Sequence, residues 1–113
     1  MPFIHVSLTQ KVSLEKKKEL AAGIGKLIEI IPGKKFEKAM VRVDDGCLIY
    51  RGGETAECAY VETKLRRPNE IEKQTAYVEK MYELFNEILD LDIPQCYFSM
   101  VELDTWGSRG TLK

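Results

Sequence analysis

The sequence has almost no net charge, which argues against a nucleic-acid-binding role. Among its 113 residues, 17 lysines and arginines balance 18 aspartates and glutamates, so the formal charge is −1 at pH 7. A nucleic-acid-binding domain of this size usually carries a basic excess that neutralises phosphates. We therefore expect no nucleic-acid partner.

Long hydrophobic runs are also missing. The apolar stretches of the chain are only a few residues long, whereas a transmembrane helix needs roughly 20 apolar residues. The first residues show neither the charged segment nor the hydrophobic segment of a secretory signal peptide. We therefore predict a cytoplasmic protein without a membrane partner.

Cysteine is scarce. The three cysteines, Cys47, Cys58 and Cys96, are odd in number, and their spacing matches neither a zinc site nor a C-x-x-C redox pair. We expect them to be free, buried thiols in a reducing compartment. The sequence implies neither a metal nor another cofactor.

Hydrophobic periodicity gives the first half of the chain the order strand, helix, strand. Alternating apolar residues over 2–8 predict a strand, and apolar residues at helical spacing over 13–31 predict an amphipathic helix. Ser13 is the expected N-cap, and Pro32–Gly33 are expected to end the helix. Residues 39–43 form the second predicted strand.

The second half repeats this order. Residues 58–65 and 96–101 are the predicted strands, and an apolar stripe over 71–89 predicts the helix between them. Asn69 and Glu72 have the spacing of a capping box at the start of this helix.

These patterns predict a single α/β (α+β) domain over 1–113, with internal repeats at approximately 2–57 and 58–113. Two β-α-β units build a four-stranded mixed sheet with both helices on one face. An apolar face left on the other side of the sheet needs a cover, and symmetric association commonly supplies one. The pattern therefore predicts a homo-oligomer.

Pro2 is the candidate catalytic residue. If Met1 is removed, its ring nitrogen becomes a secondary amine at the N-terminus. An α-amino group has a pKa of about 8, and burial or positive neighbours lower this pKa toward the range where general-base catalysis is efficient. If Met1 is retained, the same nitrogen is an amide without basicity.

Together these features resemble the tautomerase superfamily, whose members are built from β-α-β units behind a catalytic N-terminal proline. The resemblance covers almost the whole chain and rests on seven segments: Pro2-Phe3-Ile4, Gly33-Lys34, Val41-Arg42-Val43, Gly52-Gly53, residues 59–65, the helix residues 81–85 and residues 98–103. The length of 113 residues is similar to the fused two-repeat form of macrophage migration inhibitory factor (MIF) and 5-carboxymethyl-2-hydroxymuconate isomerase. That form assembles as a homotrimer, so the resemblance implies a MIF-like homotrimer.

The resemblance implies a cofactor-independent keto-enol tautomerase that acts on a small 2-oxo or enol carboxylic acid. Neutral Pro2 removes a proton from the carbon next to a carbonyl and returns it at another carbon or at oxygen. Lys34 and Arg42 are the candidates for binding the substrate carboxylate or stabilising the enolate, and both charges lower the proline pKa.

Four further residues are candidates for substrate binding. Tyr97 matches a pocket tyrosine of the family, whereas Ser99 replaces an asparagine and Val101 replaces an aromatic residue. Arg66 and Arg67 either bind a second carboxylate, in the same or an adjacent subunit, or are solvated surface charges.

Two alternatives stay open. The first is a trimeric binding or signalling module whose tautomerase activity is weak. The second is carbon-halogen or carbon-carbon chemistry by protonated Pro2, which requires Glu102 or Asp104 to activate water. His5 has no partner at metal-ligand spacing and is interpreted as structural.

Overall fold

The computed structural model describes residues 1–113 and contains a four-stranded sheet with two α-helices. The sheet consists of β1 (Phe3–Leu8), β2 (Met40–Asp44), β5 (Ala59–Arg66) and β6 (Cys96–Leu103). Two small hairpins lie outside it: β3 (Tyr50–Arg51) with β4 (Glu54–Thr55), and β7 (Gly107–Ser108) with β8 (Thr111–Leu112). The helices are α1 (Leu14–Leu27) and α2 (Ile71–Leu89), and short 3-10 turns occupy Ile28–Ile30, Phe36–Lys38 and Ile93–Gln95.

The strand order is β2-β1-β5-β6, so the sheet is mixed as predicted. The outer pairs, β1 with β2 and β5 with β6, are parallel, and β1 and β5 pair antiparallel in the centre. Each parallel pair is connected through one helix, as a β-α-β unit requires. The predicted fold class is therefore confirmed.

The core lies between the two helices and one face of the sheet. Alternate residues of β1 are fully buried because they point toward the helices, as the period-2 pattern predicts. The largest fully buried side chains are shared between the sheet and both helices: Ile4, Leu8, Leu65, Leu20, Ile24, Tyr77, Met81 and Phe85. Neither helix is apolar over a length sufficient to cross a membrane.

The first helix begins as predicted. The Ser13 hydroxyl accepts a hydrogen bond of 3.2 Å from the Lys16 backbone amide, which satisfies one of the free donors of the first turn. The α-helix ends at Leu27, earlier than expected, and continues as the 3-10 turn Ile28–Ile30. Ile31 is extended because the following proline disfavours a helical conformation there.

The predicted capping box at the second helix is wrong. Glu70 is the N-cap of α2, and its side chain makes no capping hydrogen bond. The amide of Asn69 instead donates to the Glu102 carboxylate on β6 and to the Arg66 carbonyl on β5. A charged acceptor forms a stronger hydrogen bond than the neutral capping arrangement, so the tertiary contact prevails over the local motif.

The other face of the sheet bears no helix and is not the apolar surface that we expected. His5, Arg42 and Glu62 lie side by side on three adjacent strands in the middle of this face. Tyr60 and Tyr97, at one end of it, are 45% and 43% exposed. Because charged groups are costly to bury without partners, any protein surface that covers this face has to pair with its central charges.

All three cysteines are free. Cys58 and Cys96 are buried as predicted, and burial raises the pKa of Cys96 to about 11. Cys47 is only half-buried, which corrects the prediction. It follows Asp44–Gly46 in a loop, where its thiol donates to the Asp44 carbonyl at 3.5 Å.

A buried hydrogen bond joins α2 to β5. Tyr77 Oη and Thr63 Oγ1 are 2.9 Å apart, and burial raises the pKa of Tyr77 to about 12. Tyr77→Phe leaves the buried Thr63 hydroxyl without a partner, so we expect the free energy of unfolding to fall by about 1–3 kcal/mol. Equilibrium denaturation in urea measures this loss.

The double variant Thr63→Val/Tyr77→Phe is the matched control. It removes both polar groups while keeping their approximate shapes, and such a replacement is nearly neutral when the fit is retained. We expect it to recover most of the stability lost in Tyr77→Phe. A double variant that is less stable than the single one would contradict this account of the hydrogen bond.

Candidate active site

Pro2 lies immediately before β1 and is buried. Its carbonyl accepts a hydrogen bond of 3.0 Å from the Met40 amide, which fixes the start of the chain to β2. On its other side, the antiparallel register that sets Phe3 opposite Lys64 places Pro2 beside the last residues of β5. The chain therefore begins between two strands, close to the loop that starts after Arg66.

Lys34 reaches the same end of the sheet from the turn after α1. Gly33 has a φ of 84° in this turn, a conformation that glycine adopts without strain. Lys34 Nζ then donates a hydrogen bond of 3.1 Å to the Arg66 carbonyl at the end of β5. The structure thus brings Pro2, Lys34 and Arg66 to one end of the sheet.

Positive charge and burial act together on the N-terminal amine. Burial lowers the pKa of the Met1 amine, and nearby lysine charges, Lys34 foremost, lower this pKa further. Burial also lowers the pKa of Lys34, the Arg66 charge adds to this, and Glu102 opposes it. If Met1 is lost, the amine of Pro2 lies one residue farther along the same chain, and we expect burial and the lysine charges to act on it in the same direction.

Arg42 is not brought to this group within one chain. It lies on the uncovered face of the sheet, opposite His5, and its Nε is 3.0 Å from Asp44 Oδ2. His5 Nε2 lies 2.7 Å from the same carboxylate oxygen. This hydrogen bond, together with the Arg42 charge, holds the pKa of Asp44 below its usual range. His5 thus has a partner that binds it in place, which agrees with a structural role.

Arg66, the last residue of β5, and Arg67, which follows it, differ in their contacts. The exposed side chain of Arg66 makes no ion pair, so its charge is available to an anion at this end of the sheet. Arg67 is engaged, since its Nε lies 2.8 Å from Asp104 Oδ1 and its Nη2 donates to the Glu102 carbonyl at 3.3 Å.

Tyr97 and Ser99 lie elsewhere on the sheet. Tyr97 is opposite Tyr60, near the end of the sheet that is remote from Pro2, and its hydroxyl accepts a hydrogen bond of 2.6 Å from Arg51 Nη1. Ser99 follows two residues later on the same strand. Neither side chain is brought to Pro2 within one chain.

A polar network beside Lys34 was not predicted from the sequence. The Glu102 carboxylate accepts hydrogen bonds from Asn69 Nδ2 at 3.1 Å and Gln74 Nε2 at 3.3 Å. These bonds, that from Asn69 foremost, hold the pKa of Glu102 below its usual range. Asn69 also donates to the Arg66 carbonyl, the oxygen that Lys34 contacts. Spacing gives no sign of this network because it depends on how the end of β6 meets the start of α2.

Only a small groove lies near this end of the sheet. A groove of about 270 Å³ is lined by Pro32, Pro68, Asn69 and Glu70, whereas a larger groove of about 710 Å³ lies away from Pro2, between α2 and the turn Ile93–Gln95. No group of three or more His, Cys, Asp or Glu side chains is arranged to hold a metal ion. Pro2 lines neither of these grooves.

No protein-family model and no curated protein matches the sequence. Solved structures match closely in shape. Leishmania major MIF2 has a TM-score of 0.89 and 20% identity, covering 100% of this chain and 97% of that chain. A MIF-like protein from Entamoeba histolytica has a TM-score of 0.84 and 19% identity, covering 99% and 98%. A fused 4-oxalocrotonate tautomerase (4-OT), described as an asymmetric trimer, has a TM-score of 0.85 and 17% identity, covering 96% and 94%.

These matches extend over nearly the whole of each chain at identities of 20% or less, so they establish the architecture. This architecture consists of the mixed four-stranded sheet and the two β-α-β units described above. The chain therefore has the fold of MIF and 4-OT, as the resemblance in its sequence implied.

Proposed function

We propose that the protein is a cofactor-independent tautomerase that moves a proton in a small 2-oxo or enol carboxylic acid, with the amine of Pro2 as general base after loss of Met1. The supporting observation is that a buried Pro2 and the Lys34 ammonium lie at the same end of the sheet, in a fold that matches Leishmania major MIF2. A base beside a fixed cation suits a reaction that passes through an enolate.

In this proposal the neutral nitrogen of Pro2 takes a proton from the carbon next to the substrate carbonyl. The electron pair of the broken C–H bond forms the enolate, whose oxygen becomes negative. The Lys34 ammonium stabilises that oxygen by hydrogen bonding and charge. The protonated proline then returns the proton to oxygen or to another carbon, so that the amine is regenerated and no atom is gained or lost.

The carboxylate of the substrate needs a cation that is not already paired. Arg66 meets this condition because it makes no ion pair and extends from the strand end that Lys34 contacts. Arg67 is a weaker candidate since it is paired with Asp104.

We further propose that the active protein is a homotrimer. The sheet has free edges at β2 and β6, and an edge strand is a template for pairing with another chain. Cyclic association of β2 in one copy with β6 in the next brings Tyr97 and Ser99 toward the Pro2 end of a neighbouring copy. The trimer described for the fused 4-OT supports this arrangement.

A second candidate function is a trimeric MIF-like binding or signalling module with weak tautomerase activity. The observation that favours it is the pairing of Arg42 with Asp44, which leaves the expected second cation occupied in one chain. Chemistry that needs Glu102 or Asp104 to activate water is not favoured, because Glu102 is held by Asn69 and Gln74 and Asp104 is paired with Arg67.

One sample of purified protein tests the proposal. We expect its intact mass to show loss of Met1, light scattering to give three times the mass of the chain, and the protein to ketonise phenylpyruvate enol or 2-hydroxymuconate without added cofactor. A processed trimer that is inactive on both classes would favour the binding module. Retained Met1 together with activity would contradict Pro2 as the base.

A further inference from the structure

Three hydrogen bonds in series connect Glu102 to Lys34. Asn69 Nδ2 donates to Glu102 Oε2 at 3.1 Å and, through its second hydrogen, to the Arg66 carbonyl at 3.0 Å. The same carbonyl oxygen accepts a hydrogen bond of 3.1 Å from Lys34 Nζ. A carbonyl oxygen has two lone pairs, so it accommodates both donors. The Asn69 amide, which also donates to the Glu102 carboxylate, and the Lys34 ammonium therefore meet on one backbone oxygen.

The orientation of the Asn69 amide is determined by these contacts. The reverse orientation would point Oδ1 at a carbonyl and a carboxylate, both of which only accept hydrogen bonds. In the observed orientation Oδ1 is buried without a hydrogen-bond partner, which is unfavourable and unusual in folded proteins. The two donated bonds are thus formed even though the amide oxygen is left unsatisfied.

Gln74 holds the other side of the carboxylate. Its Nε2 donates to Glu102 Oε1 at 3.3 Å and to the Asn69 carbonyl at 3.1 Å. The residue is only 4% exposed, near the start of α2. Both carboxylate oxygens and both partners are therefore fixed, as in a rigid hydrogen-bond network.

We propose that Glu102 is a positioning residue that, through Asn69 and the Arg66 carbonyl, holds the Lys34 ammonium at the Pro2 end of the sheet. A lysine side chain has four carbons and many rotamers, so an ammonium without a fixed partner occupies a wide volume. One of its three N–H groups is used on the Arg66 carbonyl, and the others remain free for a substrate oxygen. The catalytic consequence rests on the proposed function, whereas the placement of Lys34 does not.

The charge of Glu102 adds to its geometric role. Three effects act on the pKa of Lys34. Its burial and the Arg66 charge lower this pKa, and the Glu102 charge raises it. Asn69, Gln74 and Arg67 in turn keep Glu102 ionised. Neutralising Glu102 therefore lowers the pKa of Lys34, so Lys34 loses its proton at a lower pH.

The experiment compares Glu102→Gln with Glu72→Gln. Glu72 is an exposed carboxylate in the first turn of α2 and makes no contact with the network. NMR titration of the Lys34 side chain is expected to move to lower pH in Glu102→Gln and to stay unchanged in Glu72→Gln. For ketonisation, we expect Glu102→Gln to lower kcat/KM by about tenfold, since misplacement of a positioned group by 1 Å costs up to ~100-fold.

The alkaline limb of the kcat/KM profile is expected to move to lower pH in Glu102→Gln, which a merely structural role would not produce. Asn69→Ala keeps the carboxylate and breaks the connection, and we expect it to lower kcat/KM to a similar extent. If Glu102→Gln does not fold, Asn69→Ala tests the positioning role.

A Lys34 titration that is identical in Glu102→Gln and Glu72→Gln would overturn the proposal, as would wild-type kcat/KM in Asn69→Ala. The two proposals fail separately. If wild type shows no ketonisation that depends on Pro2, the proposed function fails, and a shifted Lys34 titration in Glu102→Gln still supports the positioning role.

Discussion

Pro2→Ala is expected to lower kcat/KM for 2-oxo acid ketonisation by about 10²- to 10⁴-fold, the range that a positioned general base contributes. Alanine is also a small residue, so Met1 removal is retained and the variant still has a free amine. That amine is primary and lacks the ring that fixes the nitrogen against β2 and β5. The loss therefore reports the position of the base as well as its chemistry, and steady-state kinetics with a 2-hydroxymuconate measures it.

Ser7→Ala is the matched control for this variant. Ser7 lies on β1 as well, on the uncovered face of the sheet, and it is placed in neither the proposed mechanism nor the Lys34 network. We expect its kcat/KM to stay within about twofold of wild type, as for most surface substitutions. Pro2→Ala with kcat/KM close to wild type, at a confirmed loss of Met1, would eliminate Pro2 as the base.

Most of the fold was predictable because it depends on local patterns. The alternation in β1, the Ser13 cap and the apolar stripe of α2 are each encoded within a few residues of one another. The cap of α2 was not predictable in this way. The spacing of Asn69 and Glu72 satisfies the capping-box pattern, but Glu102, 33 residues later in the chain, is the stronger partner for Asn69.

The candidate site was predictable only in part. Lys34 and Pro2 lie at the same end of the sheet within one chain, because the turn after α1 returns to the end at which β1 starts. Arg42, Tyr97 and Ser99 were placed by resemblance alone, and in one chain they lie apart from Pro2. In the proposed trimer their part in the site depends on a neighbouring copy, and the spacing of residues along one chain contains no information about that geometry.

The uncovered face of the sheet is a further feature that differs from the prediction. The predicted arrangement, with both helices on one face, suggested an apolar surface on the other face. The outward positions of β1, β2 and β5 instead carry His5, Arg42 and Glu62. Symmetric copies that bury this face bring like charges together unless ions, water or opposite charges lie between them. The proposed trimer therefore fits a hydrated central surface better than a dry apolar one.

Lys34→Met is expected to lower kcat for ketonisation by about 10²- to 10³-fold, the loss that follows removal of one donor to a developing oxyanion. Methionine keeps a long unbranched side chain, so the packing of the turn after α1 changes little while the charge disappears. Lys35→Met is the matched control, since Lys35 is the exposed neighbour of Lys34. We expect this control to remain within about twofold of wild type.

The pH profile separates the two effects of the Lys34 charge. This charge lowers the pKa of the N-terminal amine, so its removal raises that pKa, and the base becomes protonated at a higher pH. The acidic limb of the kcat/KM profile is therefore expected to move to higher pH in Lys34→Met but not in Lys35→Met. A rate loss with an unchanged acidic limb would mean that Lys34 contacts the substrate without acting on the amine, and the link between Lys34 and the basicity of Pro2 would then be wrong.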